Sequence, residues 1–405
     1  MNLNELFQGV AVIIDDEIGV DEANINTIIA QIESKNIPVK TYKELPNNSA
    51  IQHLTDISFL LLDWQLNPHG IEISDAIGGI TISDTSYEEE NIRFIRDFSE
   101  QSFCPIFIFS NLGIDPIKTK LIENNLFSAT NPNRIFIKNK KDIQSTDLFS
   151  EIESWLQSTP SMYVLKKWQC EYKKSEMSFF NDFQHFSQYW PLVMWECFTT
   201  DGVDPSIELG ELITQNVFSR MSPFKFCNDI LNKPYPDTVD KQELRKILEG
   251  ERFLLNDRLD KYDIGTGDLF KETVDEKEKY WLNIRAQCDL LRGSKQDEIE
   301  LYCLKGRIVD EASINAKDGI TVIEGQFIDN INKNVIPFID GGKIVEFLFR
   351  DIKIKKWKEL KTMRIGRILP PYINRVQQRY SLYLQRQGLP RIPNKAISPI
   401  AESTQ

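Results

Sequence analysis

The stretch Val10–Glu17, VAVIIDDE, constrains this chain more than any other. A short apolar run bounded by polar residues reads as a strand buried on both faces. This one ends in two adjacent acids, Asp15 and Asp16. Three later runs answer it. Ile57–Trp64, ISFLLLDW, ends on Asp63; Cys104–Asn111, CPIFIFSN, ends on Ser110; Arg134–Lys140, RIFIKNK, carries Lys138. A shorter run, Ile37–Tyr42, supplies one more strand.

Helical segments separate these runs. Asp21–Lys35 carries Ile25, Ile28, Ile29 and Ile32 at i, i+3, i+4 and i+7, the spacing of one apolar helix face. Ser49–Leu54 has room only for a helical stub, and Glu88–Glu100, Pro116–Phe127 and Asp147–Leu156 read as further helices. Strands alternating with helices predict an α/β fold, here a doubly wound five-stranded parallel sheet. Ligands of such sheets bind outside the carboxyl ends of the strands. Asp15, Asp16, Asp63, Ser110 and Lys138 all stand at such ends, so they are expected to converge on one edge.

Three carboxylates, a hydroxyl and an ammonium suit phosphoryl chemistry. A carboxylate can act as nucleophile and become an acyl phosphate. The incoming phosphoryl group is anionic, and carboxylates alone would repel it. A hard divalent cation resolves the conflict. Mg²⁺ keeps several waters and binds through one or two carboxylates plus the phosphate. Asp15, Asp16 and Asp63 are the candidate metal ligands, Asp63 being also the candidate nucleophile. Lys138 is a point charge for a phosphoryl oxygen, and the Ser110 hydroxyl a donor to another.

These five residues, in this order at the ends of four strands, resemble the receiver domain of two-component response regulators. More narrowly, they resemble a divergent receiver family found beside unusual histidine kinases in bacterial conflict and antiviral defence operons. The likeness covers about the first third of the chain. It continues after Asp63, where Gln65-Leu66-Asn67-Pro68-His69-Gly70 brings a Pro and a Gly into the loop. The resemblance implies a cytoplasmic signalling protein, not an enzyme, that takes a phosphoryl group on Asp63 from a partner histidine kinase. It also implies Mg²⁺, with the backbone carbonyl of Gln65 completing the protein ligands. The alternative is a non-phosphorylated receiver-fold adaptor or nucleic-acid-binding effector. Four features depart from the pattern. Asn111 follows Ser110 where a small residue is usual, and Asn139 follows Lys138 where Pro is usual. Ile135 stands where the switching aromatic is expected, with Phe136 beside it. Finally, 71–87 forms a long Gly- and Ser-containing loop that lengthens the spacing from Asp63 to Ser110.

Rival sites fit worse. Asp15-Asp16-Glu17 lacks the Asp-x-Asp of haloacid-dehalogenase-like phosphatases, and neither GxxxxGK[ST] nor GxGxxG occurs. Cys288 has no His after His185 with which to form a dyad, and Asp275–Lys279, DEKEK, is read as a polar loop and not a nuclease hairpin. The six cysteines are scattered with no CxxC pair, which predicts reduced, mostly buried thiols. His185 stands apart, which argues against a metal site there.

With 405 residues, two to three domains are expected at ~150 residues each. The expected division is 1–156, then an aromatic-rich helical stretch 157–238, then a small β-rich part 239–405 with a basic C-terminal helix. No apolar run approaches the ~20 residues of a membrane-spanning helix, and MNLNELFQG lacks the basic and apolar regions of a signal peptide. The aromatic stretch reads as core or as a surface for a partner. Within it, Asp201–Met221 reads as a turn followed by a helix that opens near Pro205. In the last part Arg252–Leu255, Tyr280–Ile284, Ile299–Leu304 and Ile344–Phe349 read as strands, and Gly265–Asp268 as a turn. The net charge of −12 hides an asymmetry: Lys343–Lys395 holds 14 Lys or Arg against three acids. Such a segment suits either phosphate backbones or an acidic face of the same chain.

Overall fold

A computed structural model of the chain describes residues 3–21, 23–54, 56–66, 85–111, 113–128, 133–145, 147–261, 263–291, 296–310, 332–387, 392–393 and 396. The loop expected at 71–87 lies almost wholly outside the described residues. The chain divides into two compact units, 1–190 with 210–234, and 191–209 with 235–405.

The first unit is built on β1 (Val10–Ile14), β2 (Val39–Tyr42), β3 (Ile57–Asp63), β4 (Ile106–Ser110) and β5 (Ile135–Asn139). They form one parallel sheet in the order β2-β1-β3-β4-β5, the flavodoxin-like order of a doubly wound fold. All seven residues of β3 and all five of β4 are buried. Helices on both faces explain why these strands read as unbroken apolar runs. On one face, α1 (Asn24–Ser34) contributes Ile25, Ile28 and Ile32. They pack with Phe59, Phe107 and Phe109 of the sheet and with Ile152, Trp155 and Leu156 of α2 (Leu148–Ser158). On the other face, Ile92, Ile95 and Phe98 of α3 (Thr85–Gln101) and Ile117 and Leu121 of α4 (Ile114–Glu123) cover Leu60, Leu62 and Ile108. Asp147 caps α2 by accepting the Ser150 N–H at 3.0 Å.

The aromatic stretch contributes to this core. Helix α5 (Pro160–Phe186) begins with Pro in its first turn, and its Met162 and Tyr163, with Ile230 beyond it, join the cluster around Phe59 and Phe107. The Tyr163 hydroxyl accepts the Cys227 N–H at 2.8 Å.

The second unit is a curled antiparallel sheet of seven strands: β6 (Phe253–Leu255), β7 (Asp268–Val274), β8 (Lys277–Asn283), β9 (Glu300–Ile308), β10 (Lys333–Ile339), β11 (Lys343–Lys356) and β12 (Arg364–Ile368). The order is β10-β11-β9-β8-β7-β12-β6. β11 runs for 14 residues and shifts register against β9 between Leu348 and Ile352, an irregularity that lets a long strand bend. The DEKEK segment expected as a loop is the turn and first pairs of a hairpin. Asp275 and Glu276 take φ of 51° and 62°, and Lys277 already belongs to β8. Helix Tyr372–Gln385 lays Ile373 and Val376 over one face of the sheet, and Trp357 and Leu360 pack with Phe270 and Trp281 on the other.

Candidate functional site

Parallel strands deliver their carboxyl ends to one edge, and the order reverses between β1 and β3. Ile14 of β1 pairs in register with Leu62 of β3, so the next residues, Asp15 and Asp63, stand level on neighbouring strands. Both are buried, with Asp16 half-buried beside them. One ligand oxygen from each of the three carboxylates lies within 4.8 Å of the others. An all-oxygen donor set of this size fits a hard divalent cation, so the cluster is a candidate metal site.

The cation that answers these acids is Lys140. Its Nζ donates to Asp63 Oδ2 at 2.7 Å and to Asp15 Oδ2 at 2.9 Å, and Glu17 Oε2 lies 3.8 Å away. The other oxygens of both acids are held by backbone. Asp15 Oδ1 accepts the Glu17 N–H at 2.9 Å, and Asp63 Oδ1 accepts the Gln65 N–H at 3.0 Å. Burial, with Asp15 adding to it, pushes the Asp63 carboxyl up to about 6 against the pull of Lys140. Burial works against the Lys140 charge as well, but Asp63 and Asp15 outweigh it and hold the ammonium above the ordinary lysine range. Among the described residues, one ammonium faces three carboxylates here, a local surplus of negative charge.

Lys138, the expected ammonium, is not at the site. It lies level with Asp63 across the sheet, since Asp63 pairs with Phe109 and Phe109 with Lys138. Phe109, fully buried, occupies the strand between them. Lys138 instead donates to Glu151 of α2 at 2.7 Å. Lys140 follows the end of β5, at the first residue of the short helix Lys140–Ser145, where it is clear of the sheet and can turn over its edge. The sequence signal was present in the Lys138-Asn139-Lys140 spacing, and the choice between the two lysines depended on where the strand stops. Glu17 was also missed, its role being visible only once the turn after Asp15 is in place.

Ser110 ends β4 and is buried. Its hydroxyl lies 3.5 Å from Gln65 Oε1, which also accepts the Asn111 N–H at 3.2 Å. The segment leaving β3 is pinned on both sides. The Trp64 N–H donates to the Phe109 carbonyl at 3.1 Å, and the Trp64 carbonyl accepts from Asn91 Nδ2 of α3 at 2.7 Å. Asn91 is itself buried and was not singled out from the sequence. The Gln65 main chain is thereby fixed next to Asp63. Ile135 is buried against α4 and its neighbours, whereas Phe136 packs edge-on against Phe107 and tilts against Trp155.

No family model matches the chain, and no curated protein matches it. One solved structure, described as a yeast Spc42 trimeric coiled coil fused to another structure, is similar over 38% of this chain and 80% of that chain. The identity is 12% and the TM-score 0.24, a likeness too slight to argue from. No helix among the described residues is long and apolar enough to cross a membrane.

Proposed function

We propose that the first unit is a receiver that accepts a phosphoryl group on Asp63 from a partner histidine kinase and signals that state onward. The observation that carries this reading is the Lys140 ammonium shared between Asp15 and Asp63, at the carboxyl edge of a 2-1-3-4-5 parallel sheet. Asp15, Asp16 and the Gln65 main chain suit Mg²⁺, which when bound neutralises the incoming phosphoryl oxygens. The remaining work falls to side chains. Asp63, mostly ionised at pH 7 with its carboxyl at about 6, attacks phosphorus. A carboxylate O–P bond forms, the P–N bond to the kinase imidazole breaks, and the imidazole leaves with the electron pair and takes up a proton. Lys140, already on Asp63, has its ammonium ready for a phosphoryl oxygen. Ser110, at the end of the neighbouring strand, offers its hydroxyl to another.

Incubation with Mg²⁺ and acetyl phosphate or a phosphorylated kinase tests this directly. Intact-mass analysis should find a gain of one phosphoryl group, labile at alkaline pH and absent in Asp63→Ala. If no donor yields an adduct while the protein remains folded, the edge is a structural ion-pair cluster and the unit an unphosphorylated adaptor.

A further inference from the structure

Both carboxylate oxygens of Asp63 are held, by donors of different kinds. Oδ2 accepts from the Lys140 ammonium at 2.7 Å, and Oδ1 accepts from the Gln65 backbone N–H at 3.0 Å. The ammonium ends a flexible stem, whereas the N–H belongs to the peptide that joins Trp64 to Gln65. In a trans peptide the C=O and the N–H point in opposite directions, so the orientation of one sets that of the other. The C=O of this same peptide is the Trp64 carbonyl, which accepts from Asn91 Nδ2 at 2.7 Å. Asp63 and Asn91 therefore grip the two ends of one peptide group, just past the last residue of β3. Asn91 is 1% exposed, and its Oδ1 has no hydrogen-bond partner among the described residues. A buried amide paired at one end only adds little to stability, because its oxygen has given up water for nothing. What Asn91 supplies is a donor at one point.

We propose that Asn91 is a positioning residue for phosphoryl transfer to Asp63. It stops the Trp64–Gln65 peptide from rotating, and the peptide in turn keeps its N–H on Oδ1 and the carboxylate plane fixed. The role rests on the receiver reading of Asp63. Without the Asn91 donor the peptide can turn over, Oδ1 loses its N–H, and the carboxylate is left to swing on Lys140 alone. An attacking oxygen has to lie in line with the bond it displaces, and a misplacement of about 1 Å can cost ~10²-fold in rate. Asn91 thus acts on the reaction from α3, through a peptide, without touching the phosphoryl group.

The test incubates the full chain with Mg²⁺ and acetyl phosphate and follows the adduct by intact mass. In this step the Asp63 O–P bond forms as the P–O bond to acetate breaks, and acetate leaves with the electron pair. Asn91→Leu keeps the size of the side chain and removes the donor. It should be phosphorylated about tenfold or more slowly than the parent, a deficit that raising Mg²⁺ does not repair, with a melting temperature close to the parent's. Should Asn91→Leu not fold, Asn91→Ala, which only removes atoms, takes its place. Nuclear magnetic resonance of protein carrying isotope-labelled glutamine reads the peptide itself. The Gln65 amide signal, assigned by its loss in Gln65→Glu, should move upfield and exchange faster with solvent in the Asn91 variant, as it leaves a carboxylate. The Gln31 and Gln157 amides should stay where they are. No adduct in the parent overturns the receiver reading, and the role of Asn91 in transfer with it. An adduct that forms in the parent and equally fast in the folded variant overturns the Asn91 role alone. So does a Gln65 amide that does not move, or a rate that Mg²⁺ restores.

Discussion

Two lysines two residues apart have opposite fates, and the difference is measurable. Lys140 neutralises two buried carboxylates, whereas Lys138 makes a partly exposed pair with Glu151. Removing one partner of a buried pair leaves an uncompensated charge, at a cost of roughly 3–5 kcal/mol. An exposed pair contributes about 0.2–1 kcal/mol. Lys140→Ala should therefore lower stability several-fold more than Lys138→Ala in urea titrations, and only the Lys140 variant should lose phosphoryl transfer to Asp63. Equal effects on transfer would remove Lys140 from the proposed chemistry. A third lysine behaves differently again. Lys166 of α5 is buried, and its acceptors among the described residues are neutral, the Ser58 carbonyl at 3.3 Å and Gln169 Oε1 at 3.0 Å. Burial pulls its ammonium below the ordinary lysine range. The unfolded chain then holds this proton more tightly than the folded one. The destabilisation is complete below the folded pKa and fades as pH rises toward the ordinary value of about 10.4. Lys166→Met should raise stability at pH 7 and flatten the rise of stability between pH 7 and 10. Urea unfolding at the two pH values reads both effects, and a variant less stable at both would show that the ammonium is satisfied where it lies.

The elements differ in how plainly the sequence announces them. β1, β3 and β4 were legible because burial on both faces demands unbroken apolar runs, and because each ends abruptly on Asp15, Asp63 or Ser110. The first long helix was legible from Ile25, Ile28, Ile29 and Ile32, although it starts at Asn24 and not Asp21. β7, β10 and β12 were not. β7, DLFKETV, and β12, RIGRI, carry charges along their length, because partners across the sheet pair them: Arg367 with Asp268, and Lys271 with Glu278 and Asp340. A strand stabilised by cross-strand ion pairs looks polar in sequence. The candidate site shares this limit. Its acids could be read from strand ends, but Lys140 required knowing where β5 stops and Asn91 required the packing of α3. Since the acids sit on β1 and β3 at fixed register, metal binding should stiffen that pair of strand ends. Mg²⁺ or Mn²⁺ at millimolar concentration should raise the melting temperature, because a ligand that prefers the folded state stabilises it. Asp16→Asn should remove most of the shift. An undiminished shift in the variant would place the ion elsewhere.

For the molecule as a whole, the basic segment near the C-terminus poses the question of a nucleic-acid partner. By sequence its 14 Lys and Arg against three acids look like a free positive stripe in a chain of net −12. In the folded second unit much of that charge is already matched. Lys343 contacts Glu278 at 2.8 Å and Asp340 at 3.0 Å; Lys356 and Lys358 both reach Glu298; Lys361 reaches Asp297 at 2.9 Å. Arg367 holds buried Asp268 at 2.7 Å and Asp263 at 2.9 Å, and Arg364 donates to Asn256 at 2.7 Å. Each acid so engaged would compete with a phosphate for the same ammonium or guanidinium. Affinity for duplex DNA falls by roughly 0.9 log unit per log unit of salt for every phosphate neutralised, so a protein with many free cations shows a steep slope. With these six cations engaged internally, the full-length chain should give no mobility shift of duplex DNA at micromolar protein and 150 mM salt, and at 50 mM salt only weak retention. Tight retention with a slope that counts six or more phosphates would mean that these internal pairs open on binding, and would move the second unit into the nucleic-acid-binding class.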